Sequence, residues 1–430
     1  MCDTFVALAS VTRTGSVLLA KNADTEVNEA QHLLKIASRD WPEGAQVRVT
    51  HRVIPQPRRT HEVFLDKSFW LYGGEIGANE HGVAIGNEAV FSNRTSEGDG
   101  VVLIDLLRLM LERATTRHEA VEVTAALLKT YGQGGNCELR GNSHFDGSFI
   151  VADKTGALVL ETAGRDWATR EVAEFTSISN AYTIGADWTA TSMPGEVGGK
   201  VDFASMVGDP APSIACGAPE RRSASYTYLQ RHKGAIDLRT MTDLLRHTGD
   251  EGDYHPAMGE RPTRICMHAG PYAGRFWQAT GSLVSDVRGG SSVVWATGTS
   301  GPDCSVFKPI FFGVPIPELG PSPRESDTPG AYWWTHERLH RRVMADYAVI
   351  IRDLRPEIEA LEASFFQQAE TVRHDDIATK AAFVTECWHA ADTLESRWLA
   401  KLSNRPYHIA HEDYASMWRQ FNAAAALELT

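Results

Sequence analysis

Met1-Cys-Asp-Thr-Phe-Val-Ala-Leu-Ala-Ser10 decides how the rest of the chain is read. Thr4–Ser10 is a largely apolar run that reads as a strand. Thr12-Arg-Thr-Gly15 carries turn residues, and Ser16–Lys21 reads as the returning strand of a hairpin. Cys2 directly follows the methionine and is small enough to permit its removal, which leaves one residue bearing both a thiol and a free α-amine. A thiol of pKa ~8.5 is only slightly ionised at neutral pH, and the thiolate is the reactive form. An α-amine of pKa ~7.7–8.0 can take that proton within the same residue. Cys2 is therefore the candidate nucleophile and its own amine the candidate base.

The hairpin brings further groups to the chain start. With the turn centred on Arg13-Thr14, paired positions sum to about 27, so Asp24 is expected opposite Asp3 and Lys21 opposite Val6. Asp24 would hold the amine, and the charge of Lys21 would lower the thiol pKa.

Composition narrows the remaining classes. The 430 residues exceed one small domain, and a hydrophobic content of 43% suits a large core. A net charge of −13 argues against nucleic-acid or anionic-membrane partners, which need a basic surface. Cys2, Cys137, Cys216, Cys266, Cys304 and Cys387 are scattered without a CxxC pair, so neither a disulfide framework nor a zinc ribbon is expected. No charged-then-apolar leader pattern and no membrane-length apolar run is present, which makes a cytoplasmic, reducing location the expectation.

Along the chain, Val101–Arg113 has helical periodicity. Thr116-Arg-His-Glu119 is a capping box opening a helix to Tyr131, which stops at Gly132. Ser148–Asp153 and Ala157–Thr162 flank Lys154-Thr-Gly156 as a hairpin; Glu220–His232 and Leu238–His247 read as helices; Ser282–Val287 and Ser292–Thr297 read as strands. This mixture predicts a layered α/β (α+β) domain over residues 1–314. Five prolines between Pro315 and Gly330 mark a connector. Residues 331–430 predict an α-helical region packed on the first domain, with helices at Ala331–Leu354, Glu357–Thr371, Ile377–Leu402 and His411–Leu427.

Several of these segments together resemble the secernins. They are Cys2 itself, Ala20-Lys-Asn-Ala-Asp-Thr-Glu-Val-Asn-Glu-Ala-Gln31, Gly77-Ala-Asn-Glu-His-Gly-Val-Ala-Ile-Gly-Asn-Glu-Ala-Val90, Ile265-Cys-Met-His268, Thr280-Gly-Ser-Leu-Val-Ser285 and Thr297-Gly-Thr-Ser-Gly-Pro-Asp-Cys-Ser-Val-Phe-Lys-Pro309. Secernins share a cysteine peptidase family with bacterial dipeptidases and are more distantly similar to penicillin V acylase and bile salt hydrolases. The resemblance implies a four-layer αββα sandwich of the N-terminal-nucleophile (Ntn) hydrolases with a helical C-terminal extension. It also implies a cysteine amidohydrolase that cleaves a dipeptide or small N-acyl amide through a thioester on Cys2. Asn180, within Ser177-Ile-Ser-Asn180, would donate its amide to the oxyanion, and a backbone N–H within Asn87-Glu88-Ala89 would be the second donor. Arg222, after Ala218-Pro219, would be the active-site arginine. Where the distant relatives carry arginine, this chain has Lys21, which keeps the charge without the planar fork. Glu75 would receive a substrate ammonium, while Asn79 and Asn87 either contact substrate or shape turns. No cofactor is implied, the partner is a small peptide or amide, and homo-oligomer formation is left open.

Two other readings compete. His336-Glu-Arg-Leu-His340 matches the H-E-x-x-H pattern of zinc proteases, with Glu359 near the spacing of a third ligand. Arg338, Arg341 and Arg342 oppose a cation there, and Pro356 interrupts the path to Glu359. A secernin-like regulatory or binding protein without catalysis is the other reading; Cys2, Asp24 and Asn180 favour chemistry over it.

Overall fold

The two strands at the chain start form a hairpin in the middle of a sheet. A computed structural model describes residues 1–94, 98, 100–193, 200–249, 254–259, 261–272 and 275–429. β1 (Cys2–Ala7) pairs with β2 (Val17–Glu26) in the register Cys2↔Ala23, Asp3↔Asn22 and Thr4↔Lys21. This register is two residues away from the sequence expectation: Lys21 faces Thr4 instead of Val6, and Asp24 lies beyond Cys2 instead of opposite Asp3. The connection is a loop tied to a distant segment, with Thr12 bridging Ile236 and Arg13 N–H donating to Ile236 O at 2.8 Å. Because the offset is even, no side chain changes face.

The other large-sheet strands are β3 (Gln31–Ile36), β4 (Val63–Ser68), β5 (Ile76–Asn79), β6 (Ala84–Val90), β7 (Asp146–Asp153), β8 (Gly156–Ala163), β9 (Asp166–Glu171), β10 (Phe175–Ile178), β11 (Ala190–Thr191), β12 (Trp277–Val287), β13 (Val293–Ala296) and β14 (Lys308–Ile310). One sheet has the order β10-β1-β2-β12-β13-β14, and the other β11-β9-β8-β7-β6-β5-β4-β3. Every pairing in them is antiparallel. The sheets face each other through β1 and β2 against β6 and β7.

Helices cover both outer faces. α1 (Leu103–Arg113) and α2 (Arg117–Tyr131) pack on β5–β8, while α3 (Ala218–Arg231) and α4 (Leu238–Leu245) pack on β10, β1, β2 and β12. The result is a four-layer αββα sandwich. α2 starts at the predicted residue, with Thr116 Oγ1 accepting from Glu119 N–H at 3.2 Å, but the Glu119 carboxylate accepts from Thr115 N–H at 2.7 Å and not from Thr116, so the capping box is half formed; Gly132 ends the helix at φ 67°.

The C-terminal part is helical: α5 (Tyr332–Ala345), α6 (Tyr347–Val372), α7 (Ile377–Ser403) and α8 (Glu412–Ala424). The expected break at Pro356 is absent, since α6 runs through it and the break falls at Asp346. Proline removes one helical hydrogen bond. Burial of Ile350, Leu354, Ile358 and Phe365 along one face supplies the compensation. These helices join the sandwich through fully buried ion pairs, Arg246–Glu362 at 2.6 Å and Arg373–Asp286 at 2.7 Å. Among the described residues no helix is long and apolar enough to cross a membrane.

Candidate active site

Cys2 begins β1 and is only 6% exposed. Its N–H donates to Asn180 Oδ1 at 2.9 Å, and its Sγ accepts from Asp24 N–H at 3.5 Å. Its carbonyl accepts from Arg221 Nη1 at 3.0 Å and Ser179 Oγ at 3.4 Å. Burial pushes the Cys2 thiol up; Lys21 and the chain-terminal ammonium pull it back, and Glu75 and Asp24 oppose them.

Alternation along the hairpin sorts the charged groups between two faces. Cys2, Thr4 and Lys21 share the face toward the second sheet. Gly86 makes that approach possible: a Cβ there would lie 2.7 Å from Thr4 Oγ1 and 3.0 Å from Lys21 Cδ. The same layer holds Glu88, whose Oε1 accepts from Thr4 Oγ1 at 2.5 Å. Lys21 is fully buried and donates to Asn22 O at 3.0 Å. Burial works against its charge, but Cys2, Glu88 and Glu75 outweigh burial and hold its pKa above the usual lysine range. Burial lifts Glu88 to about 8 despite Lys21 and Thr4.

The opposite face carries a second network. Arg221, on α3, donates to Asp3 Oδ2 at 2.6 Å and to Asn180 Oδ1 at 2.9 Å, with both ionic side chains fully buried. Asn180 Nδ2 donates to Ala89 O at 2.8 Å. Two donors at Oδ1 and a carbonyl at Nδ2 fix the amide orientation and leave the second Nδ2 hydrogen for another acceptor. Asp24 is 1% exposed, and neither carboxylate oxygen has a hydrogen-bond partner among the described residues. Burial lifts its pKa to about 7, against the pull of the terminal ammonium.

Cys2, Asp24 and Asn180 line a cavity of about 370 Å³, together with Met1, Glu75, Asn87 and Ala89. Its wall includes Phe91, Leu103, Ile104, Phe145, Phe276 and Trp277, with Glu29 and Glu138 as further carboxylates. That volume suits a small molecule. Asn87 Nδ2 donates to Gly74 O at 3.1 Å, and its Oδ1 has no partner among the described residues.

The other expected residues lie elsewhere. Arg222 turns away: its Nε donates to Ser177 O at 3.0 Å, and it lines a separate depression with Arg170. A helix turns 100° per residue, so only Arg221 points into the sandwich. Asn79 shapes a turn, donating to Leu111 O and Ala114 O and accepting from His81 N–H and Val83 N–H. Glu88 lies between the sheets beside Lys21, outside the cavity wall. Asp3, Arg221 and the cavity carboxylate Glu29 were not singled out by the sequence reading. Asp3, adjacent to Cys2 on a buried strand, was the available signal for the first two.

The H-E-x-x-H segment is packing machinery in α5. His336 Nε2 meets Ser305 Oγ at 3.0 Å and Ser300 O at 2.9 Å, while its Nδ1 faces Glu395 at 3.0 Å. Glu337 accepts from Arg341 Nε at 2.8 Å, and Glu359 pairs with Arg239 and Arg355. These partners engage His336, Glu337 and Glu359, while both ring nitrogens of buried His340 have no hydrogen-bond partner among the described residues.

Two facing antiparallel sheets clad by helices, with a cysteine opening a central strand, define a four-layer αββα sandwich. No protein-family model matches the chain. Solved structures that superpose in part include the C2A mutant of conjugated bile acid hydrolase from Clostridium perfringens, with 12% identity, 73% of this chain and 93% of that one covered, and a TM-score of 0.43. Penicillin V acylase from Agrobacterium tumefaciens gives 12%, 73% and 86%, with a TM-score of 0.41. The Caenorhabditis elegans ortholog of N-acylethanolamine-hydrolyzing acid amidase gives 12%, 66% and 92%, with a TM-score of 0.36.

Proposed function

We propose that this chain is a cysteine amidohydrolase that cleaves a dipeptide or small N-acyl amide through a thioester on Cys2, after removal of Met1. The observation that carries the reading is the Cys2 thiol at the wall of a cavity, beside a buried lysine and a carboxylate with no hydrogen-bond partner among the described residues. With Met1 gone, the atom now bonded to Asn180 Oδ1 becomes the α-amine. It takes the thiol proton as sulfur attacks the carbonyl carbon, and returns a proton to the leaving amine as the C–N bond breaks. Water then adds to the thioester with the same amine as base.

Developing oxyanion charge needs donors already in position. Asn180 Nδ2 has one hydrogen beyond its bond to Ala89 O. The N–H and C=O of a residue in an extended strand point to the same side. Ala89 N–H therefore faces the edge occupied by Asn180 and is the second donor. Glu75 and Asp24 on the wall suit a substrate bearing an ammonium group, which favours a dipeptide with a free amino end over a neutral acyl amide.

The test is intact mass spectrometry during turnover of a slow amide substrate. A chain beginning at Cys2 and carrying one acyl adduct, absent in Cys2→Ala, is expected. Full activity from protein that uniformly retains Met1 overturns the amine-base mechanism.

A further inference from the structure

A second cluster of chemically capable side chains lies outside the cavity. Cys266 and His268 come from the loop before β12, and Asp303 from the loop between β13 and β14. Exposure of Cys266, His268 and Asp303 is 0%, 3% and 0%. Cys266 Sγ is 3.8 Å from His268 Nε2, and that nitrogen is 3.1 Å from Asp303 Oδ2. One ligand atom from each residue falls within 4.8 Å of the other two.

We propose that Cys266, His268 and Asp303 form a structural divalent-cation site, with zinc as the cation its donor set selects. Donors on a tetrahedral zinc with ordinary bond lengths are about 3.3–3.6 Å apart, close to the two distances observed. A thiolate, an imidazole and a carboxylate form a borderline-soft S/N/O set. The outer contacts match what such ligands need. Tyr254 OH is 2.8 Å from His268 Nδ1, so Nδ1–H can donate to the phenol and leave the Nε2 lone pair for the metal. Tyr347 OH donates to Asp303 Oδ2 at 2.6 Å and orients the carboxylate. Asp303 Oδ1, the other oxygen of that carboxylate, is buried with no hydrogen-bond partner among the described residues, so the carboxylate is short of partners as it stands.

The charge balance is favourable for a dry site. Metal binding releases the Cys266 thiol proton to solvent, giving thiolate, carboxylate and neutral imidazole around a dication, with no net charge. The site would also tie the catalytic hairpin to the C-terminal helices. Asn22 of β2 donates to Ile265 O at 3.0 Å, beside Cys266, and Tyr347 begins α6.

The experiment uses the full-length, untagged chain equilibrated with excess zinc, desalted and analysed for metal. About one zinc per chain is expected, with Cys266→Ser and His268→Gln well below that. His81→Ala, which disrupts the solvent-reached group His61, Glu80 and His81, should keep the metal. Tyr347→Phe should lower zinc affinity roughly 10–100-fold. If the ligand variants fail to fold, cobalt decides the matter in a Cys2→Ala background, where a thiolate-to-cobalt charge-transfer band must appear. Metal-free wild-type protein after equilibration, metal retained by folded Cys266→Ser, or no thiolate band in the cobalt form overturns the proposal.

Discussion

Replacing Arg221 by methionine tests the buried network directly. Arg221 is 0% exposed and reaches Asp3 at 2.6 Å, Cys2 O at 3.0 Å and Asn180 Oδ1 at 2.9 Å. Methionine keeps much of the volume and removes every donor. Removing one partner of a buried pair costs about 3–5 kcal/mol, because the other charge is left uncompensated. Arg222→Ala is the control: a half-buried neighbour with one bond, to Ser177 O, and an expected cost of about 1 kcal/mol. Urea unfolding should therefore separate the two variants by at least about 2 kcal/mol. The gap must also depend on pH. Burial already raises the Asp3 pKa above its ordinary value against the pull of Arg221, and loss of Arg221 raises it further. The folded state then binds more protons than the unfolded state, so stability falls as pH rises above the ordinary aspartate range. The Arg221→Met deficit should shrink near pH 5 and grow toward pH 8. Equal destabilisation by the two substitutions, or a deficit independent of pH, would refute the assignment of Arg221 as the partner of Asp3.

Asn180→Ala should lower kcat by on the order of 10²–10³ with little change in KM, because in the proposed mechanism its amide donates to the oxyanion; steady-state kinetics on folded protein decide this. Asp24→Asn should shift the acidic limb of the kcat/KM profile, which Asn180→Ala should leave in place. Asp24 also titrates at about 7 in the folded chain, above the unfolded value, so it withdraws stability as pH rises from about 4 to 7. Thermal unfolding across that range should have a flatter pH dependence in Asp24→Asn. Glu337→Gln should lower the melting temperature, because Arg341 loses its buried partner, while turnover per folded molecule stays near wild type. Loss of turnover in stably folded Glu337→Gln would revive the metalloprotease reading.

Local patterns carried much of the architecture into the sequence. Thr116, Glu119 and Gly132 encode both ends of α2 through bonds made within a few residues, and Lys154-Thr-Gly156 encodes its hairpin in the same way. The β1–β2 register was off by two because its loop is propped by Ile236, a contact with no local signature. Arg221 and Arg222 are adjacent on a helix whose polar sequence gives little phase, so only packing reveals which one turns inward. Asn79 and Asn87 have the same chemistry eight positions apart, yet the first spends its amide on a turn and the second reaches the cavity. Pro356 misled because local propensity predicts a break that tertiary burial overrides.

The ion pair between Asp3 and Arg221 joins residues 218 positions apart. A chain made from its amino end at about 5–20 residues per second therefore waits about 10–45 s between the emergence of the thiol and that of the arginine beneath it. β1 lacks β10 for most of that interval and α3 throughout it, so the face that Arg221 covers in the folded chain stays uncovered. Folding closes the interval by burying Cys2 to 6% exposure. In the mechanism proposed above, removal of the methionine would therefore belong to the period of synthesis, before Cys2 is buried.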